Sequence, residues 1–310
     1  MAADFVHKPV LLAEVLVALR PKENGRYADG TIGGAGHAAA ILAASGSTGF
    51  LYGCDRDGVA VEAASARLAE FAGRFEIRQG NFSELPEWVP TGSCDGVLLD
   101  LGVSSPQLDT PERGFSFQQD AELDMRMDRR SGPTAAQIIE SADAEELARI
   151  FWEYGGERES RRMARALVRA RETRPIRTTG QLAEAIERVS PRRGRKTHPA
   201  TKIFQALRIV VNDELGSLTA GLAGAMKILK PGGRLAVITF QGLETRILKS
   251  FGRDATRDYD FPGTVDVPEL RTPRTPAAKW IERRGIEPGE AELAANPRSR
   301  SAILRVLEKI

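Results

Sequence analysis

The sequence predicts an α/β fold: a Rossmann-like, mostly parallel sheet covered by helices and interrupted once by a helical insertion. Three observations carry this. Short apolar strands alternate with amphipathic helices over the first hundred residues, which argues for parallel strands joined by helical crossovers. That rhythm stops near residue 108 and gives way to a strand-poor, arginine-rich stretch that runs to about 208. It then returns, with a helix, a Lys230-Pro231-Gly232-Gly233 turn and another apolar strand.

In chain order, strands are expected at 26–29, 49–54, 75–78 and 96–99, with helices near 35–44 and 58–71. The insertion contains a helix over 157–171. A single long helix is expected over 201–229, followed by a strand over 234–240. Pro262, Pro268, Pro273, Pro276, Pro288 and Pro297 fall in a poorly periodic stretch read as one long loop, before a last strand near 301–307. A loop of that length in a compact domain is usually functional or mobile. The domain boundaries are therefore 1–109 and 209–310 for the two parts of the α/β domain, with the insertion at 110–208.

Composition narrows the class further. The 310 residues are 42% hydrophobic and 28% charged, with a mean hydropathy of -0.28, as in an ordinary globular protein. No apolar run approaches the roughly 18 residues that cross a bilayer. The amino terminus has Glu14 inside its apolar stretch and no basic leader, so no signal peptide and a cytoplasmic location are expected. Cys54 and Cys94 have no CxxC or CxxH neighbour, and neither a disulfide framework nor a metal site is expected.

The net charge of +2 hides a strong asymmetry. Residues 158–208 hold 15 Lys and Arg against 4 Glu, while the rest of the chain holds 29 basic and 38 acidic residues. At 100° per residue, Arg158, Arg161, Arg162, Arg165 and Arg169 fall within an arc of about 100° on the expected helix. A solvated helix face usually mixes signs. This surplus, together with Arg192-Arg193-Gly194-Arg195-Lys196, suits a polyanion such as nucleic acid.

After the first strand comes Asp29-Gly30-Thr31-Ile32-Gly33-Gly34-Ala35-Gly36-His37, and Asp55 ends the second. Glycines let a ligand approach the backbone at the sheet's carboxyl edge, and an acid ending the next strand can accept both ribose hydroxyls. Gly34 to Ala39 also fits G-x-G-x-x-A, so a dinucleotide stays open by pattern. Charge favours another ligand, because Asp29 beside a pyrophosphate costs on the order of 1 to 4 kcal/mol at about 4 Å. S-adenosyl-L-methionine has no phosphate and carries an ammonium and a sulfonium, which the same carboxylate attracts. His37 at the helix start reads as a polar cap.

The fourth strand, Cys94-Asp95-Gly96-Val97-Leu98-Leu99-Asp100, delivers Asp100 to that same edge, with Ser104-Ser105-Pro106-Gln107 close behind. Enzymes that methylate exocyclic amines place a Ser/Asp-Pro-Pro-aromatic segment here. Its oxygens take the amino hydrogens, because the nitrogen must be aimed at the methyl and relieved of a proton. Ser105-Pro106 is a partial match that an ordinary Ser-Pro turn also explains. Asp100 and Ser105 are the candidate catalytic residues, and Phe115 and Phe117 are candidates for a wall against the base or, equally, for core packing.

With DLGVSSPQLDTPERGFSFQQDAELDMRMD at 100–128 and HPATKIFQALRIVVNDEL at 198–215, the chain resembles the bacterial 16S rRNA (cytosine-N4)-methyltransferase family. The likeness runs from His7-Lys8-Pro9-Val10-Leu11 to Asn296-Pro297-Arg298-Ser299-Arg300-Ser301. It implies a class I, S-adenosylmethionine-dependent methyltransferase with a seven-stranded sheet, acting on a decoding-centre cytosine of the small ribosomal subunit. A homodimer is among the assemblies it allows. It also implies cofactor positions at Ala35, Gly36, His37, Asp55, Phe82, Asp100 and Gln107. One departure stands out: where the family has Phe-His-Ser-Leu-Glu-Asp-Arg, this chain reads Phe240-Gln241-Gly242-Leu243-Glu244-Thr245-Arg246. That motivates a competing reading, a catalytically silent RNA-binding or ribosome-assembly factor, beside the NAD-dependent oxidoreductase that the glycine pattern leaves open.

Overall fold

The computed structural model describes residues 9–191 and 197–310. The chain divides into two compact units, Met1–Gly102 with Leu215–Ile310, and Val103–Glu214. The sequence boundaries lie at 109/110 and 208/209.

The first unit begins with α1 (Leu12–Leu19), β1 (Arg26–Asp29), α2 (Gly36–Ala44), β2 (Phe50–Asp55), α3 (Gly58–Arg67), β3 (Phe75–Gln79), α4 (Leu85–Trp88) and β4 (Cys94–Asp100). All of β4 from Cys94 to Leu99 is buried, as a central strand covered on both faces requires. The second unit is helical: α5 (Ser105–Asp109), α6 (Ala135–Ser141), α7 (Ala144–Glu153), α8 (Ser160–Thr173), α9 (Thr179–Val189) and α10 (Ala200–Val211). Its helix starts are chemically marked. Thr134 with Gln137 and Thr178 with Gln181 form capping boxes, and Asp143 accepts from the Glu145 and Glu146 amides. Leu123, Met125, Ile139, Phe151, Leu167, Leu182 and Leu207 form its core.

The chain returns through α11 (Glu214–Ile228), β5 (Leu229–Thr239) and α12 (Gly242–Thr256), a short antiparallel pair β6 (Tyr259–Asp260) and β7 (Thr272–Pro273), then β8 (Ala278–Ile286), α13 (Glu290–Ala295) and β9 (Ile303–Lys309). The main sheet has seven strands in the order β3-β2-β1-β4-β5-β9-β8. β3, β2, β1, β4 and β5 are parallel, and β9 runs antiparallel to both neighbours. On one face Leu98, Ala236, Ile238 and Leu304 pack with Val15, Leu19, Ile41 and Leu42. On the other, Val97, Leu99, Leu235 and Val237 pack with Leu218, Leu222 and Leu248. Strand order reverses between β1 and β4, which opens a crevice beyond their carboxyl ends.

Three sequence expectations are corrected. The single helix over 201–229 is two helices, broken where Asn212 turns its side-chain amide onto the Arg208 and Met125 carbonyls and Asp213 takes a φ of 44°. The Asn amide satisfies a carbonyl that a continuing helix would claim. The proline-rich stretch is not all loop, since it contains β8. Only Ala278 of this edge strand is buried and its register shifts twice, so apolar alternation was too weak to read. Finally, the arginine helix begins at Ser160, which leaves Arg158 ahead of it.

Candidate active site

Three parallel strands end in carboxylates at the crevice: Asp29 on β1, Asp55 on β2 and Asp100 on β4. Asp55 is held from two sides, accepting from the Gly33 amide at 3.0 Å and the Asp57 amide at 2.9 Å. It thereby ties the glycine loop to the start of α3 and presents its carboxylate in a set orientation. Thr31 joins the other two acids. Its amide donates to Asp29 Oδ1 at 3.1 Å, and its Oγ1 accepts from the Asp100 amide at 2.7 Å. Nothing in the sequence reading singled out Thr31, although its place inside the glycine loop was the available signal.

Burial makes this edge electrostatically tense. Asp29 is 1% exposed, and desolvation, reinforced by the charge of Asp55, pushes its carboxyl up to about 7. Asp100 is raised well above the usual carboxylate range, first by desolvation and then by Asp29 and Glu244. Its Oδ1 is buried and has no hydrogen-bond partner, which is costly for a group of this kind. Glu244, also buried, accepts from the Phe240 and Gln241 amides at 2.8 and 3.1 Å. Sequence reasoning missed Glu244 because a Glu three residues into a helix is a common capping residue. It fills that role here as well, with Gln241 completing the box.

His37 is not the polar cap that was expected. The cap of α2 is Ala35, in the left-handed region at φ 58°, and the buried His37 ring lies within the first turn. Its Nε2 donates to the Val10 carbonyl at 2.9 Å, a bond that requires the proton on Nε2, and Nδ1 lies 3.9 Å from Asp100 Oδ2. Gly36 precedes it as the first residue of α2. Phe82 opens the turn that follows β3 and is half-buried.

In the second unit, Ser105 is the first residue of α5, and Gln107 is buried in a capping box with Ser104. The Gln107 Oε1 accepts from the Ser104 amide at 3.0 Å. Phe115 lies in the core of that unit, 7% exposed, which makes it a packing residue instead of a base wall. Phe117 is partly buried, its ring 4.8 Å from those of His198 and Phe204. Arg158, Arg161, Arg162, Arg165 and Arg169 are all exposed, while Met163, Ala164 and Leu167 form the buried side of α8. Arg162 also pairs with Glu159 at 2.9 Å. The run from Arg192 to Lys196 lies outside the described residues.

A crevice edged by Asp29, Asp55 and Asp100, one of them with an orphaned oxygen, suits a cationic ligand better than a pyrophosphate. S-adenosylmethionine, with a sulfonium and an ammonium, meets that test. Over 312 residues the chain is 50% identical to a ribosomal RNA small subunit methyltransferase H of Geobacter sp. strain M21, covering 99% of each chain. To the protein of the same name from Syntrophotalea carbinolica it is 47% identical over 311 residues, 99% of this chain and 98% of that one. A solved rRNA methylase from Streptococcus thermophilus superposes with a TM-score of 0.44 at 12% identity, covering 99% of each chain. The MraW methylase family model matches residues 4–310. The family match and the full-length relatives remove the nicotinamide reading: the cofactor is S-adenosylmethionine, and the chain belongs to the MraW methylase family.

Proposed function

We propose that this protein methylates N4 of a decoding-centre cytosine, cytosine 1402, in the 16S rRNA of the small ribosomal subunit. The observation that carries the reading is Asp100: a carboxylate at the switch-point edge with a buried, unpartnered oxygen, followed at once by the Ser104-Ser105-Pro106-Gln107 segment. The names of the 47–50% identical relatives point the same way. The cofactor supplies a methyl group on a sulfonium, activated toward a nitrogen nucleophile. In this reading Asp55 accepts the ribose hydroxyls, Phe82 lies beside the adenine, and Ala35, Gly36, His37 and Gln107 complete the cofactor's surroundings. Asp29 and Asp100 supply the negative field for its methionine end.

Cytosine's exocyclic nitrogen is a weak nucleophile because its lone pair is delocalised into the ring. An acceptor on the amino edge orients it and takes the proton as bonding begins. Asp100 is suited to that task, since burial and its acidic neighbours give its carboxyl a raised affinity for a proton. Ser105 adds a second acceptor. The base must leave any helix to reach such a pocket, and the exposed arginines of α8 provide the phosphate contacts. Action in the cytoplasm belongs to the same proposal, with a homodimer among the assemblies it allows.

The test is single-turnover methyl transfer to undermethylated small subunits and to naked 16S rRNA, with the product nucleoside identified by mass spectrometry. N4-methylcytidine at one position supports the reading; methyl transfer elsewhere, or none, overturns it. The silent-factor reading rests on Gln241-Gly242 at the start of α12. Gln241 caps that helix in a closed box with Glu244, so the replacement fills a structural role.

A further inference from the structure

Helix α11 is rich in glycine where a helix tolerates it poorly. Gly216, Gly221 and Gly224 each cost about 1 kcal/mol relative to Ala in a helix interior. Ser217, Gly221 and Gly224 are spaced at i, i+4 and i+7, so they share one face. What that face meets explains the composition. A Cβ on Gly221 would fall 2.3 Å from two atoms of the Phe82 ring, and one on Gly224 would fall 2.7 Å from Pro86. Across the ring, a Cβ on Gly30 would fall 2.6 Å from Phe82 Cβ. Phe82 is thus held between two stretches of bare backbone and is half-buried.

One turn earlier on the same face, buried Ser217 Oγ accepts from Asn81 Nδ2 at 2.8 Å and from Arg56 Nη2 at 3.1 Å. Those two donors sit at informative places. Asn81 immediately precedes Phe82 and caps its turn by accepting from the Ser83 amide at 3.2 Å. Arg56 immediately follows Asp55, and its carbonyl accepts from Gln79 Nε2 at 3.0 Å. A single hydroxyl therefore joins the turn that carries Phe82 to the strand end that carries Asp55.

We propose that the Ser217–Gly221 face of α11 is the positioning element for the adenosine half of the cofactor. Ser217 holds the Asp55 and Phe82 turns in mutual register, and Gly221 sets the plane of the Phe82 ring for a purine. Neither residue touches the reacting atoms, so both act through binding and leave the methyl-transfer step alone. The inference rests on the reading that Phe82 lies beside the adenine.

Calorimetric titration of S-adenosylmethionine into the full chain tests it, comparing wild type with Phe82→Ala, Gly221→Ala and Ser217→Ala. Phe82→Ala should weaken binding at least about tenfold, as loss of an aromatic stacking partner does. Gly221→Ala should weaken it by a similar factor even though alanine favours the helix, and Ser217→Ala by about fivefold through the two lost hydrogen bonds. In Gly221→Ala and Ser217→Ala, kcat at saturating cofactor and RNA affinity should not move. Wild-type affinity in Gly221→Ala and Ser217→Ala beside a weakened Phe82→Ala overturns the positioning role and leaves the adenine reading standing. Wild-type affinity in Phe82→Ala overturns that reading and this inference with it. If Gly221→Ala does not fold, Ser217→Ala decides alone.

Discussion

The carboxyl edge of the seven-stranded sheet and the outer face of α8 each gather charge of one sign, and burial makes them opposite in kind. At the edge, Asp29 and Glu244 are almost fully removed from water and Asp100 has an orphaned oxygen. On α8, Arg161, Arg162, Arg165 and Arg169 are all exposed. Two like charges about 4 Å apart cost roughly 4 kcal/mol near a protein surface and about 1 kcal/mol in water. The acids therefore hold protons until a compact cation restores the carboxylates. The arginines are hydrated and screened, and a stripe of that kind suits an extended polyanion, which gives up counterions on binding. A surplus of charge in a sequence thus says little about its ligand until its burial is known.

The sharpest way to break this contrast is Asp100→Asn, which keeps shape and removes the charge. If Asp100 accepts the amine's proton, single-turnover methylation at saturating cofactor should fall by at least about a hundredfold, the lower range for loss of a general base. Stability should hold, because the Asp100 Oδ1 is buried without a hydrogen-bond partner to lose. A rate within threefold of wild type would confine Asp100 to cofactor binding.

On α8 the matching change is Arg162→Glu with Arg165→Glu. Five phosphate contacts give a log-log salt slope of about -3.5 on single-stranded RNA, and removing two should flatten it to about -2. Affinity at about 0.1 M salt should fall at least tenfold, with cofactor affinity unaltered. Fluorescence anisotropy with labelled RNA across a salt series provides both numbers, and a wild-type slope near zero would show a stripe that is only solvated.

How much of each region could be read beforehand follows from the same physics. The α8 face was legible because helical periodicity sorts exposed from buried residues without knowledge of the rest of the fold. Its one error, Arg158, lies at a helix end, where local signals are weakest. At the sheet edge, Asp29, Asp55 and Asp100 were legible as strand-terminal acids. Their coupling was not, since Thr31 bridging Asp29 to Asp100 and Glu244 acting on Asp100 depend on strand order. Likewise β8 escaped notice because an exposed edge strand has little alternation to show, and Phe115 could be assigned only once the core around it was seen.

Asp29 sharpens the comparison through pH. Its carboxyl ionises near 3.8 in the unfolded chain and at about 7 in the folded one. Between those values the folded state keeps a proton that the unfolded state has released. The associated stability is complete below about pH 4 and is lost as pH rises through about 7. Asp29→Asn should therefore raise the melting temperature more at about pH 8 than at about pH 5. Cofactor binding has the opposite sign, because a cation favours the carboxylate, so affinity should climb toward pH 7 and then level off, with proton release seen in calorimetry across two buffers.

The smallest expected effect comes from an uncharged residue at the acidic edge, and it separates location from charge. Gln241 stands at the start of α12, where the resembled family has His, and its side chain caps the helix while Glu244 closes the box. Gln241→Ala removes that cap. Losing a capping side chain costs about 0.5 to 2 kcal/mol, so the melting temperature should drop by a few degrees, a shift that differential scanning calorimetry resolves. Glu244 keeps its hold on the Phe240 amide, so the acidic field at Asp100 persists and single-turnover methylation should stay within about threefold of wild type. A loss of activity far beyond the loss of stability would mean that Gln241 touches the base, and that charge alone does not define the chemistry of this edge.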